Sequence, residues 1–131
     1  MYVKTTNSIK VTATPVYLEQ QSQPSENQYI WAYTIHLENL GKETVQLLRR
    51  HWEITNNLGQ VQEVDGDGVI GEQPVLKPGE SYQYTSGTAL PTPSGIMVGH
   101  YEMVDSGTLA EFAVEVPAFS LDSPYQVVRA H

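Results

Sequence analysis

The chain has 131 residues, 40% of them hydrophobic, which suits one domain, residues 1–131, built around a single core. Seven Lys and Arg stand against fifteen Asp and Glu, a formal net charge of −8. There is no cysteine, which excludes disulfide staples and thiolate chemistry and leaves imidazole and carboxylate as the available metal ligands.

The segment from Met1 to Asn7 lacks the apolar stretch of a signal peptide. No run of the chain approaches the ~20 apolar residues of a membrane helix. A cytoplasmic protein without membrane insertion is expected. Ile9, Val11 and Ala13 alternate with Lys10, Thr12 and Thr14, the period of a half-buried strand. After Pro15 the apolar positions shift to Val16 and Leu18, which predicts a bulge at an edge-strand proline. Gln20 to Gln28, polar and containing Pro24, reads as a loop.

Tyr29, Trp31, Tyr33, Ile35 and Leu37 line one face of the clearest strand, which ends in a turn at Asn39-Leu40-Gly41-Lys42. The next strand sets Val45 and Leu47, then Trp52 and Ile54, against Arg49, His51 and Glu53 on the other side. Asn56-Asn57-Leu58-Gly59 closes a hairpin into Val61 to Val64, since Asn and Gly accept positive φ. A glycine- and proline-rich middle follows, from Gly66 to Gly79. Pro78-Gly79 turns the chain into a strand carrying Tyr82 and Tyr84, and Leu90 to Gly95 is a loop with Pro91 and Pro93. Two late strands, Met97 to Val104 and Phe112 to Val116, meet across Ser106-Gly107. No segment repeats apolar residues at helical spacing over three turns without Gly or Pro. Seven or more short strands with regular turns predict an all-β, antiparallel sandwich of immunoglobulin or fibronectin type III character.

Gly66-Asp67-Gly68-Val69-Ile70-Gly71 matches G-x-G-x-x-G. That motif binds dinucleotides when a helix N-terminus follows and receives the pyrophosphate. Here Glu72-Gln73-Pro74 follows instead, and Asp65, Asp67 and Glu72 oppose a phosphate, so the glycines serve a tight loop. Exposed amides of such a loop can still meet an anion or a partner's backbone. Glu63, Asp65 and Asp67 lack the spacing and the flanking helices of an EF-hand. His36, His51, His100 and His131 are scattered singly, and the one geometric chance of a metal pair is His36 facing His51 on neighbouring strands. Ser86 is not in a nucleophile elbow and no acid–base pair stands out, so no catalytic residue, metal ligand or cofactor is assigned. Five acids without a base lie between His51 and Leu76, and five more from Glu102 to Asp122. Such a surface repels phosphate backbones, while Lys42, Arg49 and Arg50 make a small basic patch, so direct nucleic-acid binding is not expected.

Longer motifs carry a resemblance. They are Trp52-x-Ile54, Gly59, Val64-x-Gly66-x-Gly68-Val69-Ile70-Gly71-x-Gln73-Pro74-x-Leu76-x-Pro78-Gly79, Tyr84-Thr85-Ser86-Gly87, and Leu90-x-Thr92-Pro93-x-Gly95-x-Met97-x-Gly99-x-Tyr101-x-Met103. Phe112 and Val116-Pro117-x-Phe119-x-Leu121 extend them. In these, about half of its length, the chain resembles the ApaG family, departing at Asn56 and Ala113, where that family often has Asp. The resemblance implies a fibronectin type III-like sandwich and an association with bacterial cobalt and magnesium resistance or efflux. It also implies a protein-binding module, since related domains occur in a eukaryotic F-box protein and in a protein that interacts with a DNA polymerase. The family's gene commonly neighbours one for diadenosine tetraphosphate hydrolysis, which keeps a nucleotide link open.

The reading that follows is a non-enzymatic interaction domain with a protein partner. The expected contact surface is the loop Val64 to Gln73, with Gly66, Asp67, Gly68, Val69, Gly71 and Gln73, and beside it Thr92 and Met97 from Thr92 to Gly99. The alternative is a small-ligand binder taking Mg²⁺, Co²⁺, or a nucleotide or phosphate at Gly66–Gly71. An uncovered edge strand offers a route to a homodimer.

Overall fold

Period-two patterning is realised as two antiparallel sheets that bury their facing sides against each other. The computed structural model describes residues 1–125, so His131 lies outside the described residues. Among these, the strands are β1 (Tyr2–Thr6), β2 (Ile9–Tyr17), β3 (Tyr29–Asn39), β4 (Val45–Asn56), β5 (Val61–Asp67), β6 (Val75–Leu76), β7 (Ser81–Leu90), β8 (Gly95–Asp105) and β9 (Glu111–Leu121). One sheet has the order β1-β2-β3-β7, the other β5-β4-β8-β9, with β6 added to β4. This is the immunoglobulin- and fibronectin type III-like sandwich that the alternation predicts. Gln20 to Gln28 holds two single 3₁₀ turns, Glu19–Gln21 and Pro24–Glu26, at its start and middle.

The core repeats the alternation. Tyr29, Trp31, Tyr33, Ile35 and Leu37 are all buried on β3, and Ile9, Val11 and Ala13 on β2. Opposite them lie Trp52 and Ile54 of β4, Met97, Tyr101 and Met103 of β8, and Val114, Val116, Phe119 and Leu121 of β9. Trp52 is the hub of the aromatic packing, edge-on to Tyr33, Tyr101 and Phe119 at 5.5–6.2 Å between ring centroids. Its indole lies over Gly99, where a Cβ would come within 2.4 Å of the ring and 2.6 Å of His51 O.

Two irregularities decide which residues face inward. On β4 the register with β8 steps from Leu47↔Met103 to Arg49↔Glu102, leaving Leu48 as an extra residue. This bulge lets Leu47 and Trp52, of opposite parity, both point into the core. On β9 the register steps from Gly99↔Val116 to Met97↔Phe119, a bulge that takes in Pro117.

The expected bulge at Pro15 is absent. The β2–β3 register runs unbroken from Ile9↔Asn39 to Tyr17↔Trp31, Val16 is exposed, and Tyr17 instead packs edge-on against Trp31. The proline is accommodated more simply. Leu18 N–H donates to Ile30 O and Leu40 N–H to Ser8 O, so even-numbered positions of β2 bond to β3 and Pro15 faces the β1 side. There β1 has already ended, opposite Ala13.

Candidate functional site

The two flanks of the sandwich differ. On one, β1 and β9 lie against each other. Tyr2 packs on Phe119 at 6.1 Å, Lys4 pairs with Glu115, and Glu115 N–H donates to Thr6 Oγ1 at 3.4 Å. On the other, β5 and β7 stand apart and leave a groove of about 380 Å³. Tyr33, Trp52, Ile54, Val64 and Met97 form its apolar part, with Arg50 and the β7 stretch Ser86 to Ala89 around them.

Among the described residues, the β7 wall is the sheet edge least protected against pairing. Asn39 N–H donates to Glu80 O directly opposite, so the even-numbered positions of β7 bond to β3. Ser81, Gln83, Thr85, Gly87 and Ala89 therefore turn their N–H and C=O groups outward. Natural sheet edges usually carry charge, proline or a bulge that discourages a further strand. The edge strand β1 has Lys4, β5 has Glu63, Asp65 and Asp67, and β9 has Glu111, Glu115 and Pro117. From Ser81 to Leu90 there is no charge and no proline, and the register with β3 is unbroken.

The glycine motif bounds this flank. Gly66 and Asp67, expected in a loop, are strand residues paired with Arg50 and Arg49. The loop itself is a tight turn in which Val69 and Glu72 exchange backbone hydrogen bonds of 2.8 and 2.9 Å across Ile70 and Gly71. Both central residues have positive φ, 42° and 80°, as a type I′ turn requires. Gly68, at φ 60°, donates its N–H to the carbonyl of the bulge residue Leu48, and the Gln73 side-chain amide donates to the same oxygen. A Cβ on Gly68 would sit 2.1 Å from Glu72 O. Gly66 clears space for the Arg50 guanidinium, whose Nη1 donates to Asp67 O (3.1 Å) and Gly68 O (2.9 Å). The spacing of the glycines thus follows from local packing. The amides of Gly68, Val69 and Glu72 are engaged within the fold and unavailable to a phosphate.

Several residues assigned to the contact surface are interior. Val69 is 0% exposed and Met97 1%, both in the core. Thr92 is buried, where its hydroxyl donates to Ser94 O and accepts from Asn57 N–H, bracing two loops. Gly68 is buried too. Asp67, Gly71 and Gln73 are exposed, and Gly66 is half-buried. The exposed apolar group of the loop is Ile70, 58% exposed and held at a positive φ that a β-branched residue rarely adopts. The motif contained Ile70, but its exposure depends on the turn conformation.

The outer face of the β5-β4-β8-β9 sheet carries a polar row. Asp65, His51, His100 and Glu115 stand directly opposite one another across the four strands. The expected partner of His51 is thereby corrected. His36 is on β3, in the other sheet, where it meets Gln83 at 3.3 Å, while His51 lies beside His100 with ring centroids 5.1 Å apart. His51 Nδ1–H donates to Asp65 at 2.6 Å, and its Nε2 lies 3.9 Å from Glu53. With Glu63 these groups bring three ligand atoms within 4.8 Å of one another. Arg49 pairs with Glu102 and Glu111 on the same face.

The hydrogen bond to Asp65 raises the His51 pKa above its ordinary value, desolvation opposes this, and the charges of Asp65, Glu63 and Glu53 add to the rise. The stabilisation is full below about 6.5, the unfolded imidazole's value, and is lost as pH rises through the raised folded value. Proton NMR titration should give His51 a pKa above that of a free imidazole, and Asp65→Asn should lower it. A wild-type value at or below that of a free imidazole would contradict the pairing.

Comparison with known proteins places these features in a wider group. Residues 19–105 match the ApaG domain. The chain is 60% identical over 129 residues to Protein ApaG of Paramagnetospirillum magneticum, covering 98% of each chain. To Protein ApaG of Parvibaculum lavamentivorans it is 54% identical over 131 residues, all of both chains. A crystal structure of an ApaA protein from Bordetella pertussis superposes with a TM-score of 0.86 at 45% identity, covering 90% of this chain and 95% of that one.

Proposed function

The chain belongs to the ApaG domain family, and from that footing we propose that it is a non-enzymatic protein-interaction module that captures an extended segment of a partner along the free edge of β7. The observation that carries the reading is the ten-residue edge without charge, proline or bulge beside an apolar groove. Backbone pairing supplies affinity in this mode, and the groove accepts alternate side chains of the added strand. Ile70, Gly71 and Gln73 at the loop tip extend the contact surface past the end of the groove. A part in cobalt and magnesium resistance is then indirect, exerted through the protein held. Among the described residues no helix is long and apolar enough to cross a membrane.

Thr85→Pro tests the reading. The substitution removes an outward N–H and no backbone bond to β3, and it gives up the exposed hydroxyl hydrogen bond between Thr85 and Thr34 (2.8 Å), so stability should fall by about 1 kcal/mol, as prolines are tolerated on the open side of an edge strand. Partner capture in a pull-down should be lost. Undiminished capture by the folded variant would remove β7 from the account.

A second reading, direct binding of a divalent cation, is favoured by the group His51, Glu53 and Glu63 rather than by the Gly66–Gly71 loop. Calorimetric titration with Mg²⁺ and Co²⁺ decides it, and no heat at millimolar ion would sink it.

A further inference from the structure

We propose that the segment captured on β7 is anionic, and that Arg50 selects it by pairing with a carboxylate. The inference rests on the β7 reading and specifies the partner's chemistry. Its starting point is a contrast between two neighbouring arginines. Arg49 points outward and pairs with two carboxylates, Glu102 at 2.5 Å and Glu111 at 2.7 Å. Arg50 points into the groove, is half-buried, and among the described residues meets no carboxylate within 4.0 Å, in a chain with fifteen of them. A cation half withdrawn from water gains from a counter-charge that takes up its free donors.

Arg50 is nevertheless fixed in place. Its guanidinium lies over Gly66, so close that a Cβ there would be 2.6 Å from Cζ, and Nη1 holds Asp67 O and Gly68 O. Nε and Nη2 make no hydrogen bond among the described residues. Together they form the planar two-donor fork that matches a carboxylate side-on. Among the described residues no carboxylate lines the groove and Arg50 is its one ionised group, while Asp65, Asp67 and Glu102 border a second cavity that Arg50 also reaches, on a molecule of net charge −8. The surrounding acidic surface disfavours anions elsewhere, so a carboxylate on the partner is drawn to this groove. The added strand places every second side chain over the groove, and one of these, Asp or Glu, meets Arg50 while apolar neighbours cover Trp52, Ile54 and Val64.

The probe is a short, doubly capped, fluorescein-labelled peptide of alternating Thr and Val with one central Glu. Its twins carry Gln in place of Glu, or Gln with a free C-terminal carboxylate. Fluorescence anisotropy should show the Glu peptide binding about tenfold tighter than the Gln peptide, as for a charge-assisted bidentate pair. The advantage should shrink from low to high salt. Arg50→Gln should bring the Glu and Gln peptides to equal affinity, and Thr85→Pro should weaken both. A gain confined to the free-terminus peptide would assign the carboxylate to a chain end rather than a side chain, with Arg50 still the selector. Equal binding of all three peptides to the wild type, still blocked by Thr85→Pro, would overturn the anionic preference and leave edge capture standing. No binding of any peptide at millimolar concentration would overturn both. The salt dependence is read on the wild type, so the test survives if Arg50→Gln disturbs folding.

Discussion

Replacing Gly68 with Asp should destabilise the domain by about 3 kcal/mol or more, seen as a lower urea midpoint with an unchanged slope. Two costs add. The residue sits at φ 60°, where any side chain is strained, and its Cβ would lie 2.1 Å from Glu72 O, a backbone atom of a closed turn. Relief requires opening the Val69–Glu72 turn, and Val69 is fully buried in the core. Gly71→Ala provides the control. Its φ of 80° carries the left-handed penalty, but nothing lies within 4 Å of the new Cβ, so a loss of about 1 kcal/mol is expected. Similar losses at the two glycines would contradict the geometry of the turn. Gly68→Asp therefore tests folding rather than recognition, and Thr85→Pro is the variant that addresses the contact surface.

Trp52→Ala should cost about 3–5 kcal/mol, the range for deleting a buried aromatic. The indole is 2% exposed, touches three other aromatic rings and forms part of the groove floor. Directly opposite it on β8 is Gly99, which has no side chain to move into the void. Thermal unfolding should therefore fall well below the wild-type midpoint. A loss under about 1 kcal/mol would mean that the sheets close over the cavity, and the groove would then be a deformable feature. Trp52→Phe keeps an aromatic in place and should recover a substantial part of the loss.

The sandwich was legible where one face of a strand is uniformly apolar. The five inward residues of β3 alternate without interruption, and the burial follows them position by position. β1 escaped notice because it is a mostly exposed edge strand whose residues show no alternation. Val16 misled because an exposed valine after a proline imitates a change of face. The site was less legible because its members come together through pairings distant in sequence. Nothing local to Arg50 says that Gly66 will lie opposite it, and nothing local to His51 says that its neighbour will be His100. The uncharged run from Ser81 to Leu90 is visible in the sequence, but it gains meaning only when β7 proves to be an edge. The sequence shows that no helix follows the glycine motif, but Gly66 and Asp67 extend β5 and only Val69 to Glu72 form the turn. The roles of Gly66 and Gly68, in admitting Arg50 and closing on Glu72, required coordinates.

The bulge at Leu48 gives β4 something like a reading frame. Straightening the strand while keeping all twelve of its residues would shift every position after Leu48 by one and invert its facing. Trp52 and Ile54 would turn to water, and Arg49, His51 and Glu53 would turn into the core. Arg50 would leave the groove at the same stroke. Deleting Leu48 itself keeps every facing, because Leu47 and Arg49 already stand opposite consecutive residues of β8, Met103 and Glu102. What that deletion removes is the carbonyl that accepts from the Gly68 N–H and the Gln73 amide, so its effect should fall on the neighbouring turn and not on the core.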